Sequence, residues 1–431
     1  VVVAHHHKAD FATLEARDLT VLWRAPVIVT TAVQFFETLS SNHPGALRKL
    51  HALPGSVIVI DEAHAALPAP LLQQNWRWMR ELGRDWNCTF VYASGSLARY
   101  WEEEEIVSKD GVGELPEIVP PNLATRAHDG ETRRVCYKTL GRLSGSDGIA
   151  AAIEEHADTR GGSLVVMNTV QSAAVMTKKF AQREHDVLHL STALCPRDRS
   201  SVMDQVEKRL KENDGSPWLL VATSLVEAGV DLSFQTAFRE RFSVSSLIQI
   251  GGRVNRHGGD TRGTVYDFFC DTADLLVANP AAKSPARVLE DFWKEGRFAN
   301  TVDASQLTTL ALRRELADFQ RTDKLSEAEL DLRYPDVAKL GRIIDCDSRL
   351  VVVDPLLRDL LFARRKVGFR KLLEGSVQIQ GWKLRDLGLT KPIITDEEVY
   401  WWPHKYEPTG LGYMAGALEL RAIENGTMLI V

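Results

Sequence analysis

From Arg133 to Ala222 the chain alternates short apolar runs with stretches of helical period. The runs are Val135–Lys138, Ser163–Met167, Val187–Leu190 and Leu219–Ala222, and the helical stretches are Gly148–Ala157, Ser172–Phe180 and Ser201–Lys211. Strands separated by helix-length crossovers pair in parallel, so this alternation predicts a doubly wound α/β sheet. In such a sheet the loops at the carboxyl ends of the strands share one edge, where ligands bind. Candidate functional residues are therefore sought where an apolar run gives way to a polar loop.

Several such places carry chemistry. Ser56–His64 is an apolar run that stops abruptly at Asp61 and Glu62, two carboxylates able to hold Mg²⁺ and orient a water. Phe90–Ser96 ends in Ser94, Gly95 and Ser96, small residues with two hydroxyls. The Leu219–Ala222 strand opens through Thr223 into a loop ending at Gly229, Val230 and Asp231. About twenty residues on, a second polar loop holds Gln249, Arg253 and Arg256. Arginines three apart at the start of a helix share one face and can both reach a triphosphate; on a surface helix they would simply be solvated. Asn168-Thr169 sits at another strand end. In Cys195-Pro-Arg197-Asp198-Arg199, Pro and Asp serve the turn and cap, while Arg197 and Arg199 either grip phosphate or lie on the surface. Trp23–Leu39 reads as a strand, then Thr30-Thr31, then an amphipathic helix that these hydroxyls can cap.

Asp61-Glu-Ala-His64, Ser94-Gly-Ser96, Glu227-Ala-Gly-Val-Asp231 and Gln249-x-x-Gly-Arg253-x-x-Arg256, in that order, resemble the motif series of a superfamily 2 helicase. With Trp23–Leu39, the turn Asn168–Val170 and the terminal Tyr406-Glu-Pro-Thr-Gly-Leu-Gly412 added, the chain resembles the CRISPR-associated helicase–nuclease of type I interference. The resemblance implies tandem RecA-like domains, ATP and Mg²⁺ as cofactors, and 3′-to-5′ movement on single-stranded DNA. It implies as partners single-stranded DNA, the type I surveillance complex Cascade, and a nuclease domain or subunit. Carried over by motif, Asp61 would hold Mg²⁺ through water and Glu62 would position the attacking water. Ser94 and Ser96 would couple hydrolysis to DNA movement. His64 and Gly229 would lie at the nucleotide, Asp231 near the ribose, and Gln249, Arg253 and Arg256 would face the nucleotide, with Arg256 as arginine finger. Thr30, Thr31, Asn168, Thr169 and Thr223 would line the DNA track.

A chain of 431 residues exceeds one ordinary core. The expected organisation is the C-terminal part of a first, incomplete RecA-like domain (1–122), a second RecA-like domain (123–272), a helical linker (273–342) and a small accessory domain (343–431). The proline-bearing stretch Leu115–Asn122 is the expected hinge, and the acidic run Glu102–Glu105 an expected solvated loop. Ala286–Glu295 and Gln306–Gln320 are the clearest helices of the linker. The accessory segment carries a strand at Leu350–Val353, a basic stretch with Arg364, Arg365, Lys366, Arg370 and Lys371, and a short β-rich run from Ser376.

Hydrophobic content of 44%, charged content of 26% and a net charge of −6 describe a soluble protein whose grip on nucleic acid would rest on local basic patches. Five cysteines, scattered without a CxxC pair, argue against a disulfide framework or zinc site and for a reducing cytoplasm. No apolar run approaches ~18 residues, so no membrane span is expected. His5-His6-His7 with Asp10 reads as a loop after a strand, and no metal is assigned there. No Gly-Lys dipeptide occurs anywhere, so the Gly-Lys-Thr/Ser loop that cradles phosphates is missing. Because VVVA at the start reads as a buried strand already in progress, the expectation is truncation within the first ATPase domain. Another superfamily 2 enzyme, such as an RNA helicase or restriction translocase, and a non-catalytic nucleic-acid-binding remnant are the alternatives.

Overall fold

The structure, a computed structural model, describes residues 2–5, 20–108, 111–227, 229–259, 261–299, 303–317, 324–343, 347–394 and 398–424. His6, His7 and Asp10 lie outside them. The chain divides into two compact units, Val1–Pro120 with Asp303–Asp345, and Pro121–Val302 with Cys346–Val431. The stretch expected as a linker is thus shared between the units, and the segment expected as a separate accessory domain groups with the second.

In the first unit, β1 (Val2–His5) pairs in parallel with β2 (Val27–Thr30), which leads through Thr31 into α1 (Ala32–Leu39). Thr31 caps α1, its Oγ1 accepting the Gln34 N–H at 3.1 Å. β3 (Val57–Asp61) pairs in parallel with β4 (Thr89–Ala93), and α2 (Leu72–Asp85) connects them. α2 turns Trp76, Met79 and Leu82 into the core, where Trp76 stacks on Trp101 and donates to the Gly111 carbonyl at 2.7 Å. Trp78 instead donates to Glu329 at 2.7 Å, within the helix Lys324–Leu330. Both tryptophans are thus packing residues, with their N–H groups satisfied inside the unit.

Two expectations change here. Glu102 and Glu104–Glu105 lie in short helical turns, Tyr100–Glu102 and Glu104–Val107, pinned by buried Tyr100, Trp101, Ile106 and Val107 rather than lying in a solvated loop. The opening strand is not buried: Val2 is 66% exposed. Val27, Val29, Val57 and Val59 are likewise exposed, while Ile28, Ile58 and Ile60 pack inward. These strands are apolar on both faces, as parallel strands are, but the described residues cover one face.

The boundary between the units falls at Pro120 and Pro121, inside the stretch Leu115–Asn122 expected as the hinge, and the second unit opens with α3 (Pro121–Arg134), where Pro121 suits a first helical turn. Its sheet comprises β5 (Val135–Leu143), β6 (Gly162–Val166), β7 (Val187–Leu190), β8 (Trp218–Ala222), β9 (Thr236–Glu240) and β10 (Gly263–Cys270), all parallel, in the order β5-β10-β9-β6-β8-β7. The crossover helices are α4 (Gly145–His156), α5 (Val170–Gln182), α6 (Pro196–Glu212) and α7 (Val244–Gly251), followed by α8 (Lys283–Lys294). Every residue of β6, β8 and β9 is buried, as a sheet covered on both faces requires. Ile149, Ile153, Val165, Met167, Phe180, Val221, Phe238 and Phe268 fill one side. A three-stranded sheet of β11 (Ser348–Val352), β12 (Ser376–Gln380) and β13 (Tyr400–Trp401), with the helix α9 (Met414–Glu424), completes the unit. Among the described residues no helix is long and apolar enough to cross a membrane.

β7 is held partly by a buried histidine. The His189 ring bonds Thr177 Oγ1 at 3.0 Å and Ser191 Oγ at 2.7 Å, and full burial depresses its pKa to about 4. The unfolded chain therefore takes up a proton near pH 6.5 that the folded chain refuses until about pH 4. Stability is retained above pH 6.5 and lost as pH falls towards 4. Melting temperatures recorded across that window should drop, and His189→Gln should flatten the slope; an unchanged slope would reject this assignment.

Candidate functional site

In the first unit the strand ends of β3 and β4 bring four of the expected residues together. Asp61 lies opposite Ala93 in the ladder, so the loops that follow leave the sheet side by side. His64 joins them, its Nδ1 lying 2.7 Å from Ser94 Oγ and 3.4 Å from Glu62 Oε2. Burial lowers the His64 pKa, outweighing the opposing pull of Glu62 and Asp61, and the hydrogen bond at Nδ1 goes to Ser94. Asp61 is exposed, with Oδ1 accepting the Glu62 N–H at 3.0 Å. Glu62 itself has φ of 49°, a left-handed conformation that costs a residue with a Cβ about 1–2 kcal/mol. Ser96 is buried, its N–H bonded to Ser94 Oγ at 3.2 Å. Thr30 ends β2 and Thr31 caps α1.

In the second unit the expected residues fall on the loops at the carboxyl ends of β6, β8 and β7, and around the end of α7. Asn168 and Thr169 follow β6. Thr169 caps α5, accepting the Ser172 N–H at 3.0 Å. Asn168 is engaged on three sides: its N–H donates to Glu240 Oε2 at 2.7 Å, its Nδ2 to the Arg241 carbonyl at 2.9 Å, and its Oδ1 accepts from Arg239 at 2.6 Å. Thr223 is buried just beyond β8. Gly229 has φ of 74°, a conformation suited to glycine, and leads to exposed Asp231.

The arginine pair does not open a helix. α7 ends at Gly251, and Arg253 and Arg256 follow it in a turn where Asn255 is left-handed and Phe234 bridges to Val254. The reason is steric: a Cβ on Gly251 would lie 2.0 Å from the Tyr137 hydroxyl, so the helix end is pressed against β5. Two different environments result. Arg253 is buried and donates to the Val226 and Glu227 carbonyls at 3.0 and 2.9 Å, pinning the turn after β8. Arg256 is outside, paired with Asp231 at 2.8 Å. Gln249 lies on the last turn of α7.

Arg197 and Arg199 sit in the first turn of α6, but the C-terminal segment has claimed this region. Arg197 pairs with Asp354 at 2.7 Å, and Asp354 raises its pKa. Tyr406, first residue of the Tyr406–Gly412 motif, donates to Asp198 Oδ2 at 2.7 Å and accepts the Cys195 N–H at 3.0 Å. Gly412 lies so close to the same loop that a Cβ would stand 2.2 Å from the Ala193 carbonyl oxygen. The terminal motif is thus a clasp on the loop after β7. Arg199 is half-buried beside Cys195 and Tyr406, and that burial lowers its pKa.

Sequence reasoning missed the charges that knit these loops together. Arg239, on β9, bonds Ser246 Oγ at 2.8 Å and pairs with Glu227 at 3.0 Å, and Ser246 also donates to Glu227 at 2.8 Å. Next to it Arg241 pairs with fully buried Asp267 at 2.6 Å. Burial pushes the Asp267 and Glu240 carboxyls up, against the pull of Arg241 and the Asn168 N–H. The signal was present in Arg239-Glu240-Arg241, three charges in a row at the end of an apolar strand.

Residues 159–259 match the family model described as CRISPR-associated nuclease/helicase Cas3, C-terminal. The CRISPR-associated nuclease/helicase Cas3 of Haloferax volcanii is 25% identical over 317 residues, covering 54% of this chain and 33% of that protein. The likeness is to the helicase region of Cas3. The crystal structure of T. fusca Cas3 with ADP superposes on 94% of this chain and 58% of its own, with a TM-score of 0.65 and 16% identity. A chain of a CRISPR RNA-guided surveillance complex, pre-nicking, does so over 91% and 58%, with a TM-score of 0.58 and 15% identity. The chain spans about a third of the length of the Haloferax Cas3 it matches. The shared fold with Cas3 is that of tandem RecA-like domains, α/β with a six-stranded parallel sheet in the second unit.

Arg239→Ala should remove the buried member of the pair and leave the partly buried Glu227 bonded to Ser246, at a cost of up to about 3 kcal/mol, the lower end for breaking a buried pair. Urea unfolding of the variant checks this; a loss below about 1 kcal/mol would mean that the network contributes little.

Proposed function

We propose that this Cas3-like region is the motor of a type I CRISPR interference helicase, using ATP and Mg²⁺ to move 3′ to 5′ along single-stranded DNA. The observation that supports it most is the physical joining of separate motifs: His64 ties the Asp61-Glu62 loop to Ser94, and Arg253 ties the loop after β8 to the end of α7. Motif residues distant in sequence thus become coupled loops at sheet ends, as a site that converts hydrolysis into movement needs. By the same reading its partners are Cascade and a nuclease domain or subunit, and it works in the cytoplasm.

The residues present fit a Mg²⁺ ion that keeps most of its water. Asp61 and Glu62 are adjacent carboxylates, and one or two carboxylates suffice for an ion held largely through its waters. Bound there, Mg²⁺ would neutralise phosphate charge. Asp61 would hold the ion through water, and Glu62 would accept a proton from the attacking water. Ser94, hydrogen-bonded to His64, couples hydrolysis to DNA movement, and Ser96 hangs on Ser94. Asp231 binds near the ribose beside Gly229, Gln249 faces the nucleotide, and Arg256 serves as the finger on the γ-phosphate. Thr30, Thr31, Asn168, Thr169, Thr223 and Arg199 contact the strand. Arg197, already paired with Asp354, contributes by fixing α6.

The chain should bind oligo-thymidylate with an affinity that falls steeply with salt and varies little with base sequence. A marked preference for RNA or for one sequence would favour another helicase family.

Containing no Gly-Lys dipeptide, the 431 residues should hydrolyse no ATP by themselves. In a polypeptide that adds a phosphate-binding loop, Glu62→Gln should retain ATP binding and lose DNA-stimulated hydrolysis. Arg256→Ala should lower turnover by about 10³–10⁵ with little change in nucleotide affinity. A loss under about tenfold would remove Arg256 from the catalytic list.

A further inference from the structure

The basic stretch near the C-terminus has no place in the motor chemistry, yet its display is unusual. The helix Pro355–Phe362 ends at Phe362 and the helix Phe369–Glu374 begins at Phe369, and the turn between them is cationic. Its backbone is fixed: the Arg364 and Arg365 N–H groups bond the Leu361 and Leu360 carbonyls at 2.9 Å, and Arg364 is left-handed with φ of 52°. Val367 packs against the buried Leu357, Leu372 and Val399. What remains faces water. Arg364, Arg365, Lys366 and Lys371 are exposed, and the structure gives their side chains no ion pair among the described residues. Phe362 is 61% and Phe369 64% exposed.

Four free cations on a chain of net charge −6 form a local concentration of positive charge that the composition does not require. Exposed phenylalanines at both ends of the turn add faces that cost solvation and offer stacking. Phe369 also lines an open cavity of about 320 Å³ with Leu350, Leu372 and Gln378. Cations on a fixed frame, bracketed by two aromatic rings, match one kind of ligand: a flexible polyanion that carries flat rings at intervals. We infer that Phe362–Lys371 is a second contact site for single-stranded nucleic acid, Arg364, Arg365, Lys366 and Lys371 holding phosphates while Phe362 and Phe369 stack bases. A folded acidic protein or an anionic surface would use the charges without requiring an aromatic ring at each end of them. The inference deepens the proposed function and rests on it for the strand's identity.

The test measures binding of fluorescein-labelled oligo-thymidylate to the full chain across a range of salt. Arg364→Gln, Arg365→Gln and Lys366→Gln combined should reduce the slope of log affinity against log salt by about 2, roughly 0.7 for each phosphate contact released. Phe362→Ala and Phe369→Ala should each weaken binding about tenfold with the slope unchanged. All five positions are exposed, so the melting temperature should stay at the parent value, confirming that the variants fold. If the parent chain binds and every variant matches it, this site is rejected while the DNA reading stands. If charge variants lose affinity and phenylalanine variants do not, base stacking is rejected and the patch is a general polyanion or partner contact. If the parent chain binds no oligonucleotide at all, the DNA reading itself falls, and this inference with it.

Discussion

The second unit depends on one buried charge, the Arg239 guanidinium. It lies at the end of β9, nearly free of solvent, and touches groups from three separate segments: Asn168 after β6, Glu227 after β8 and Ser246 on α7. Each of those partners has a second attachment. Asn168 holds Glu240 and the Arg241 carbonyl, and the Glu227 carbonyl receives Arg253. Removing a planar cation from water is expensive unless its donors are matched, and here the matching is done by loops that would otherwise be independent. The cost of burial is offset only while the loops keep their places, so a shift in one is transmitted to the others. Conserving charge in the interior thereby becomes a means of mechanical coupling at the sheet edge.

How much of this could be read beforehand follows from what sequence periodicity records. The helix–strand alternation after Arg133 reproduces in the structure within a few residues, and β7 matches residue for residue, because burial on both faces leaves its mark in unbroken apolar runs. Thr31 was visible as a cap because a hydroxyl before a helical pattern has a local job. Arg239 was not visible in the same way. Its partners lie 71 positions upstream at Asn168, 12 at Glu227 and 7 downstream at Ser246, and no local pattern encodes such contacts. The turn carrying Arg253 and Arg256 was misplaced for a related reason: the end of α7 is packed against Tyr137, on a strand more than a hundred residues away.

The terminal motif shows the same limit from the other side. Tyr406-Glu-Pro-Thr-Gly-Leu-Gly could be recognised as a signature without its physical role. In the structure it is a clasp, with Tyr406 shared between Asp198 and the Cys195 N–H and Gly412 in contact with the Ala193 carbonyl. Burial and Asp198 hold the Tyr406 phenol far above its ordinary range, so it stays a donor at any accessible pH. Its glycine is needed because φ is 59° and no Cβ fits. Arg197, a residue that looked available for phosphate, is occupied by Asp354, the cap of the helix Pro355–Phe362.

The two motif arginines, three positions apart, differ in what it would take to move them. Arg253 is buried and its guanidinium donates to two backbone carbonyls; pulling it out would strand those acceptors away from water, a penalty of about 1–3 kcal/mol for each. Arg256 pairs with Asp231 across a gap of 2.8 Å, with the two side chains 40% and 72% exposed. An exposed pair of this kind is worth about 1 kcal/mol or less, and salt weakens it further. A phosphate oxygen offers a guanidinium a stronger, charge-assisted partner than a hydrated carboxylate does. The exchange of Asp231 for phosphate is therefore close to free for Arg256 and uphill for Arg253. That asymmetry makes Arg253 the fixed post of the loop and Arg256 the arginine able to change partners.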